Sequence, residues 1–211
     1  MSAALKEVRQ RYPRRISCGG EDIALVLLES LEPDTALAFA KQLSDHDLLS
    51  LSRDIQEPKV LSAWSKSIAS GDIVSVGALR GSEKDGVGDG EIVGTTAVVT
   101  DKHSWSAHVG ELRILVRPDA RDLGLGRALI QESFLIGLDL GLEKLTVRMT
   151  LDQEGAIAVF EEMGFRTEAL LKDHVKDRAG TKHDLLMLSH DVQAVGSMMQ
   201  AYGLDEAFNQ T

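Results

Sequence analysis

The chain has a single cysteine, Cys18, among its 211 residues, so an intramolecular disulfide is excluded. It has no uninterrupted apolar segment near the roughly 20 residues that a membrane-spanning helix requires. Together these absences predict a cytoplasmic protein with no membrane partner. Positive charge is also short: 23 Lys and Arg stand against 33 Asp and Glu, a net charge of −10. Such a balance argues against nucleic acid as a partner, because proteins that hold its phosphates present a basic surface. The N-terminus carries Arg9, Arg11, Arg14 and Arg15 but no apolar h-region, which excludes a secretory signal and disfavours an organelle transit peptide. Residues 1–19 read as a frayed or docked tail. With 43% hydrophobic residues the remainder can bury one full core but is too short for two independent catalytic domains. No internal repeat is present.

The positive charge that does exist is concentrated. Arg113, Arg117, Arg121 and Arg127 fall within one strand-loop-helix unit, which predicts a local anion site on an acidic protein. Leu112, Ile114, Leu115 and Val116 make a short apolar run, Pro118 stops it, and a helix begins after Gly124 and Gly126. Two glycines leave no side chains in the way, so successive backbone amides can converge on an anion at the positive end of the helix. Three loop types give related patterns. A dinucleotide-binding fingerprint needs a third glycine where Leu129 stands and an acidic residue after the next strand, so its match is weak; a P-loop needs Gly-Lys-Ser/Thr where Arg127-Ala128 stands, so it fails.

What remains, Arg121-Asp122-Leu123-Gly124-Leu125-Gly126-Arg127, resembles the pyrophosphate-binding motif of the GNAT superfamily, the acyl-CoA-dependent N-acyltransferases. The surroundings extend the match. Leu129, Ile130, Phe134 and Leu138 follow helical spacing up to Gly141, Lys144–Thr150 alternates as a strand, and Ala156, Val159, Phe160 and Met163 mark a second helix that ends at Gly164 before Phe165. The segment Ala156–Phe165 resembles the second signature of the family. The resemblance covers residues 72–191 well and 20–71 loosely. It implies an α/β (α+β) GNAT fold: a central mixed, mostly antiparallel twisted sheet with a splayed parallel strand pair, flanked by helices. The implied organisation is an N-terminal tail (1–19), a GNAT domain (20–191) and a C-terminal helical tail (192–211).

Elsewhere, Asp22 to Leu28 reads as the first strand, and Pro33-Asp34 opens a helix that buries Leu37, Phe39, Ala40 and Leu43. Ser44-Asp45-His46-Asp47 reads as the cap of another helix. Val60, Leu61, Trp64 and Ile68 share a helical face, with Trp64 expected in the core. Ile73–Leu79 and Ile92–Val99 form a hairpin whose glycine-rich connection, residues 81–90, is expected to be mobile. Residues 165–191 form a second hairpin turning at Arg178–Thr181. Asp173, His174, Asp177, His183 and Asp184 gather there without a recognised ligand spacing, so hydrogen bonding is expected and no metal site. Gln193 to Phe208 reads as a helix that packs on the body or on a second copy, as a homodimer.

The resemblance implies that acetyl-CoA is a cosubstrate, lying between the splayed strands Glu111–Val116 and Leu145–Thr150, and that an acceptor amine attacks its thioester directly. Backbone groups of Ile114, Leu115 and Val116 would pair with the pantetheine, and Arg121, Asp122, Leu123, Gly124, Leu125, Gly126 and Arg127 would hold the pyrophosphate. Gln153 stands where many members carry Asn. Phe160 stands where many carry a Tyr that protonates the departing thiolate. Only Tyr12 and Tyr202 are present in the chain. Glu111 is the candidate base, its alternative being an ordinary strand carboxylate paired with Arg113, and His108 is the second candidate. The expected function is N-acetyl transfer to a primary amine of a small molecule or protein. The alternative is a non-catalytic acyl-CoA-binding regulatory module, motivated by Phe160.

Overall fold

The computed structural model describes residues 3–30, 32–81 and 90–192. Eight strands form one sheet in the order β1-β2-β3-β4-β5-β6-β8-β7. The strands are β1 Arg14–Cys18, β2 Glu21–Leu28, β3 Ile73–Arg80, β4 Glu91–Val99, β5 Val109–Val116, β6 Lys144–Thr150, β7 Arg166–Lys176 and β8 Lys182–Asp191. The helices are α1 Ala3–Gln10, α2 Pro33–Ala40, α3 Asp45–Leu48, α4 Pro58–Ser70, α5 Leu125–Asp139 and α6 Glu154–Glu162. Every neighbouring pair of strands is antiparallel except β5 and β6. This is the mixed sheet with one parallel pair that the motif order implied.

Alternation along the strands sends side chains to two cores. On β5, Leu112 is buried in one core and Ile114 and Val116 pack against it, while Leu115 is buried in the other. The first core lies under α5 and α6 and includes Leu129, Ile136, Phe160 and Phe165; the second lies under α2 and α4 and includes Phe39, Leu61 and Ile68. Leu129 and Ile136 have no exposed surface, and truncating either to Ala is expected to cost about 2–5 kcal/mol. The close approach of α5 to the sheet depends on Gly94, where an added Cβ would meet Leu129 at 3.1 Å and the Leu115 carbonyl at 3.2 Å.

The strand beginning near Asp22 is the second in the sheet, not the first. β1 precedes it and pairs antiparallel with it, Arg14 opposite Leu25 and Cys18 opposite Glu21. The N-terminal segment is docked through Glu132 of α5, which is fully buried, accepts a hydrogen bond from the Tyr12 hydroxyl at 2.6 Å and pairs with Arg14. Arg11 pairs with Asp139 on the same helix at 2.8 Å. Of the two readings of the N-terminal arginines, frayed or docked, Arg11 and Arg14 take the docked one by pairing with α5, a long-range pairing with no local sequence signal.

Ser44 caps α3 by a reciprocal arrangement with Asp47, as its sequence predicts. Trp64 is half-buried on the face of α4 that packs on the second core, not enclosed within it. Both expected hairpins form, β3–β4 and β7–β8. Residues 82–89 of the glycine-rich connection and the expected C-terminal helix from Gln193 lie outside the described residues. Among the described residues no helix is long and apolar enough to cross a membrane.

Candidate active site

β5 and β6 pair only from Val109–Lys144 to Leu112–Val147. Beyond that rung β5 continues against β4 alone and β6 against β8 alone, so the strands part and leave facing backbone edges without a partner. The gap they open is a cleft of about 650 Å³. Ile114, Leu115 and Val116 form one side, Val147, Arg148 and Met149 the other, and Ile130, Val159 and Phe160 contribute apolar surface from α5 and α6.

The glycine loop closes the outer end of this cleft. After Val116, a short 3₁₀ turn at Pro118–Ala120 delivers the chain to Asp122 at φ 61° and Gly124 at φ 85°, two left-handed residues that bend it into the first turn of α5. The amides of Asp122 to Gly126 donate to no backbone acceptor among the described residues. A Cβ at Gly124 or Gly126 would meet no protein atom within 4 Å. Free amides over open space at the start of a 15-residue helix suit a phosphate group, which needs close donors and gains from the helix dipole.

Of the clustered arginines, Arg113, Arg121 and Arg127 line the cleft. Arg117 does not: it pairs with Glu91 and Asp119. Arg121 donates to the Val116 carbonyl at 3.2 Å and pairs with Asp47 at 2.7 Å, and Arg127 pairs with Glu162. Leu125 is buried in the first core and Leu123 packs against it, so these two anchor the loop by their side chains and offer an anion only their amides. Gln153 lines the cleft and accepts from the Thr150 amide at 3.2 Å, which leaves its own amide nitrogen as donor. Phe160 is buried, edge-on to Phe165 at 5.0 Å, and brings no hydroxyl.

Glu111 stands one residue before the last paired rung. Its carboxylate accepts from Arg113 Nε at 2.8 Å and from Arg148 Nη2 at 2.7 Å. Burial would raise the Glu111 carboxyl, but the two guanidiniums outweigh it and hold it below the usual carboxylate range. Glu111 itself lines neither this cleft nor the cavity beside it, whereas both of its arginines face the cleft. His108 is exposed, and its carbonyl accepts from the Glu143 amide at 2.9 Å.

Sequence reading found the cap of α3 but missed its contacts across the cleft. Three consecutive residues of this single turn tie three elements together: Asp45 pairs with Arg178 of the β7–β8 turn at 2.5 Å, His46 Nε2 meets Thr150 Oγ1 at 3.0 Å and Asp152 at 2.9 Å, and Asp47 holds Arg121. His46 and Asp47 also line the cleft. Only the capping pattern was visible in the sequence; that the cap bridges the cleft depends on contacts more than 70 residues away. At the second hairpin, His183 bonds Asp177 at 3.0 Å and the Asp173 amide donates to Asp184 at 2.7 Å. These are the fixing interactions expected there, and no group with metal-binding geometry occurs among the described residues.

This fold, with a parted parallel pair and an amide-rich loop at the next helix, is that of GNAT domains. Residues 80–165 match the family model described as "Acetyltransferase (GNAT) family", so this stretch, which holds the parted strand β5 and the glycine loop, is similar to that family. Similar solved structures include the GNAT domain of S. lividans PAT (TM-score 0.64, 16% identity, covering 84% of this chain and 96% of that one). Another is spermidine N-acetyltransferase from Vibrio cholerae in complex with CoA and spermine (TM-score 0.62, 16% identity, 80% and 96%). A third is ribosomal-protein-alanine N-acetyltransferase from Brucella melitensis (TM-score 0.60, 18% identity, 77% and 97%). At these identities the likeness is one of fold.

Proposed function

We propose that the protein is an acetyl-CoA-dependent N-acetyltransferase acting on a primary amine in a ternary complex. The observation that carries this reading is the row of free amides from Asp122 to Gly126 facing open space at the end of the parted β5–β6 pair. Those amides, with Arg121 and Arg127 beside them, would hold the pyrophosphate. The free edges of Ile114, Leu115 and Val116 would pair with the pantetheine as an added strand does, and the Gln153 amide would donate to it. Met149, Val159 and Phe160 would keep water from the acyl end.

Acetyl-CoA supplies the thioester: the amine lone pair forms the N–C bond, the C–S bond breaks, and the amine's proton balances the thiolate that leaves. The chain's part is to position the amine and carry that proton. Glu111 is proposed as the carboxylate that receives it through a water. Being held ionised and weakly basic by Arg113 and Arg148, it would also act by fixing those two side chains at the inner end of the cleft. With Phe160 in place of a hydroxyl-bearing residue, the thiolate is proposed to take its proton from water; a thiolate leaves unprotonated far more readily than an alkoxide. A cytoplasmic setting is part of the same reading.

The absence of a hydroxyl at Phe160 also favours a second reading, a module that binds acyl-CoA without turnover. Adding acetyl-CoA and a panel of amino acids, polyamines, aminoglycosides and lysine peptides separates the two. Free thiol released with at least one acceptor supports the enzyme, and tight cofactor binding without release across the panel supports the module.

A further inference from the structure

Beside the cofactor cleft lies a second cavity of about 470 Å³, walled by α4, the residues that follow α3, and β3 to β5. We propose that this cavity holds the acceptor, and that the acceptor is a small amine with a carboxylate next to its amino group and an apolar body, as in a hydrophobic α-amino acid. The proposal rests on the acetyltransferase reading above and adds to it the chemical class of the second substrate.

Position comes first. Arg113 and Leu115 line both cavities, so the two meet on β5 next to the rung where β5 and β6 part. An amine reaching the inner end of the cleft from this side arrives beside Arg113. Charge comes next. Arg113, Glu111 and Arg148 form a triad with two cations and one anion, a surplus of one positive charge. Arg113 also donates to Ser52 Oγ at 3.2 Å, yet its Nη1 and the Nε and Nη1 of Arg148 have no hydrogen-bond partner among the described residues. Unused guanidinium donors in a fixed fork match a carboxylate. The same surplus charge disfavours an ammonium at that point and so favours the neutral amine that attack requires.

The side of the wall formed by α4 and the residues before it fits an apolar body, and the opposite side is polar. Ile55, Val60 and Trp64 face the cavity from the apolar side, and Thr95, Thr100, His103 and Arg53 from the rest of its wall, which leaves a single apolar face for a side chain and cationic Arg53 against a second positive charge. The two carboxylates in the wall are already engaged. Asp72 accepts from Ser70 at 2.7 Å and pairs with Lys102 at 3.8 Å, and Asp101 accepts from the His103 amide at 3.0 Å. Both lie beyond the ends of the β3–β4 pair, past Val99, whereas Arg113 stands opposite Ala97.

Trp64 supplies a direct readout. The chain has two tryptophans, and Trp105 is fully exposed at 101%, so Trp105→Phe leaves Trp64 as the sole reporter. That protein, with CoA bound, is titrated with L-methionine and L-phenylalanine, with their carboxamides, and with spermidine. The expected result is a saturable change in Trp64 emission with the acids, amides bound at least about tenfold more weakly, and an acid-to-amide preference that collapses in Arg113→Gln. Amides or spermidine binding as well as the acids, or no response to millimolar acid, would overturn the proposal; the acid-to-amide comparison uses intact Arg113 and does not depend on that variant folding. Calorimetry with CoA on the same sample separates the failures. CoA that binds while amino acids do not sinks the acceptor class alone, whereas CoA that does not bind sinks the acetyltransferase reading.

Discussion

Asp47 and Arg121 form an ion pair at 2.7 Å across the mouth of the cleft, joining the turn of α3 to the loop whose amides are proposed to hold a pyrophosphate. The carboxylate therefore occupies a guanidinium that, under the proposed reading, a pyrophosphate would compete for. Burial would raise the Asp47 carboxyl, but hydrogen bonds from Ser44 and Arg121 hold it below the usual range, so it stays ionised at neutral pH and competes there. Asp47→Asn is expected to tighten CoA binding by about three- to tenfold, the scale of one charge-assisted contact. Calorimetric titration of both proteins checks this, and weaker binding in the variant would mean that Asp47 orients Arg121 for the ligand.

Glu111→Gln removes the counter-charge of Arg113 and Arg148. The turnover rate is expected to fall by about 10–100-fold at neutral pH with CoA affinity within about twofold. Because the folded carboxyl is held below its usual value, the stability it contributes is full at neutral pH and is lost only as the pH falls through that depressed value. The wild-type rate should accordingly show no Glu111 limb between pH 6 and 9. Rate–pH profiles of the two proteins test both points, and coincident profiles of equal height would remove Glu111 from the reaction.

Phe160→Tyr adds the missing hydroxyl in a buried, ring-packed position. Thiol release is expected to be preserved or raised, with a stability cost of about 1–3 kcal/mol for the added buried group. A large fall in rate with the fold intact would show that Phe160 does not stand where the family's hydroxyl stands.

His190 is buried, its ring edge-on to Phe134 and Phe165 at 5.1 Å. Burial pushes its imidazole below the ordinary value, outweighing the Asp191 carbonyl and charge. The unfolded chain thus binds this proton first as the pH falls from about 6.5, and stability is lost as the pH drops through the folded value. The thermal midpoint should decline over that window, and His190→Leu should flatten the decline. An equal slope in the variant would place the acid sensitivity elsewhere.

The parts of this molecule legible in its sequence are those where periodicity and turn chemistry are local. The β6 strand, the Gly164 terminator at φ 93°, the Ser44 cap and the Gly124 bend all announce themselves within a few residues. What was hidden is long-range and ionic. Arg14 reads as a tail arginine until Glu132, 118 residues away, is seen to hold it. Asp47 reads only as a cap residue until Arg121 comes beside it. Arg148 is an ordinary alternating strand residue until β5 brings Glu111 across from it. Charge partners leave no pattern in the chain, and so the parting of β5 and β6 and the glycine bend beside it could be read while the side chains that bridge and polarise the cleft could not.

Gly126→Ala isolates the central claim, that free amides at the start of α5 grip a diphosphate. No protein atom lies within 4 Å of the added methyl, and an Ala in a helix is more stable than Gly by roughly 0.5–1 kcal/mol, so the fold should be untouched or firmer. Calorimetric titration with CoA should give one site on the wild-type chain and binding weakened by at least about tenfold in the variant, because the methyl stands where the phosphate must approach the backbone. A wild-type chain that takes up no CoA, or a Gly126→Ala chain that binds it as tightly, would contradict the account.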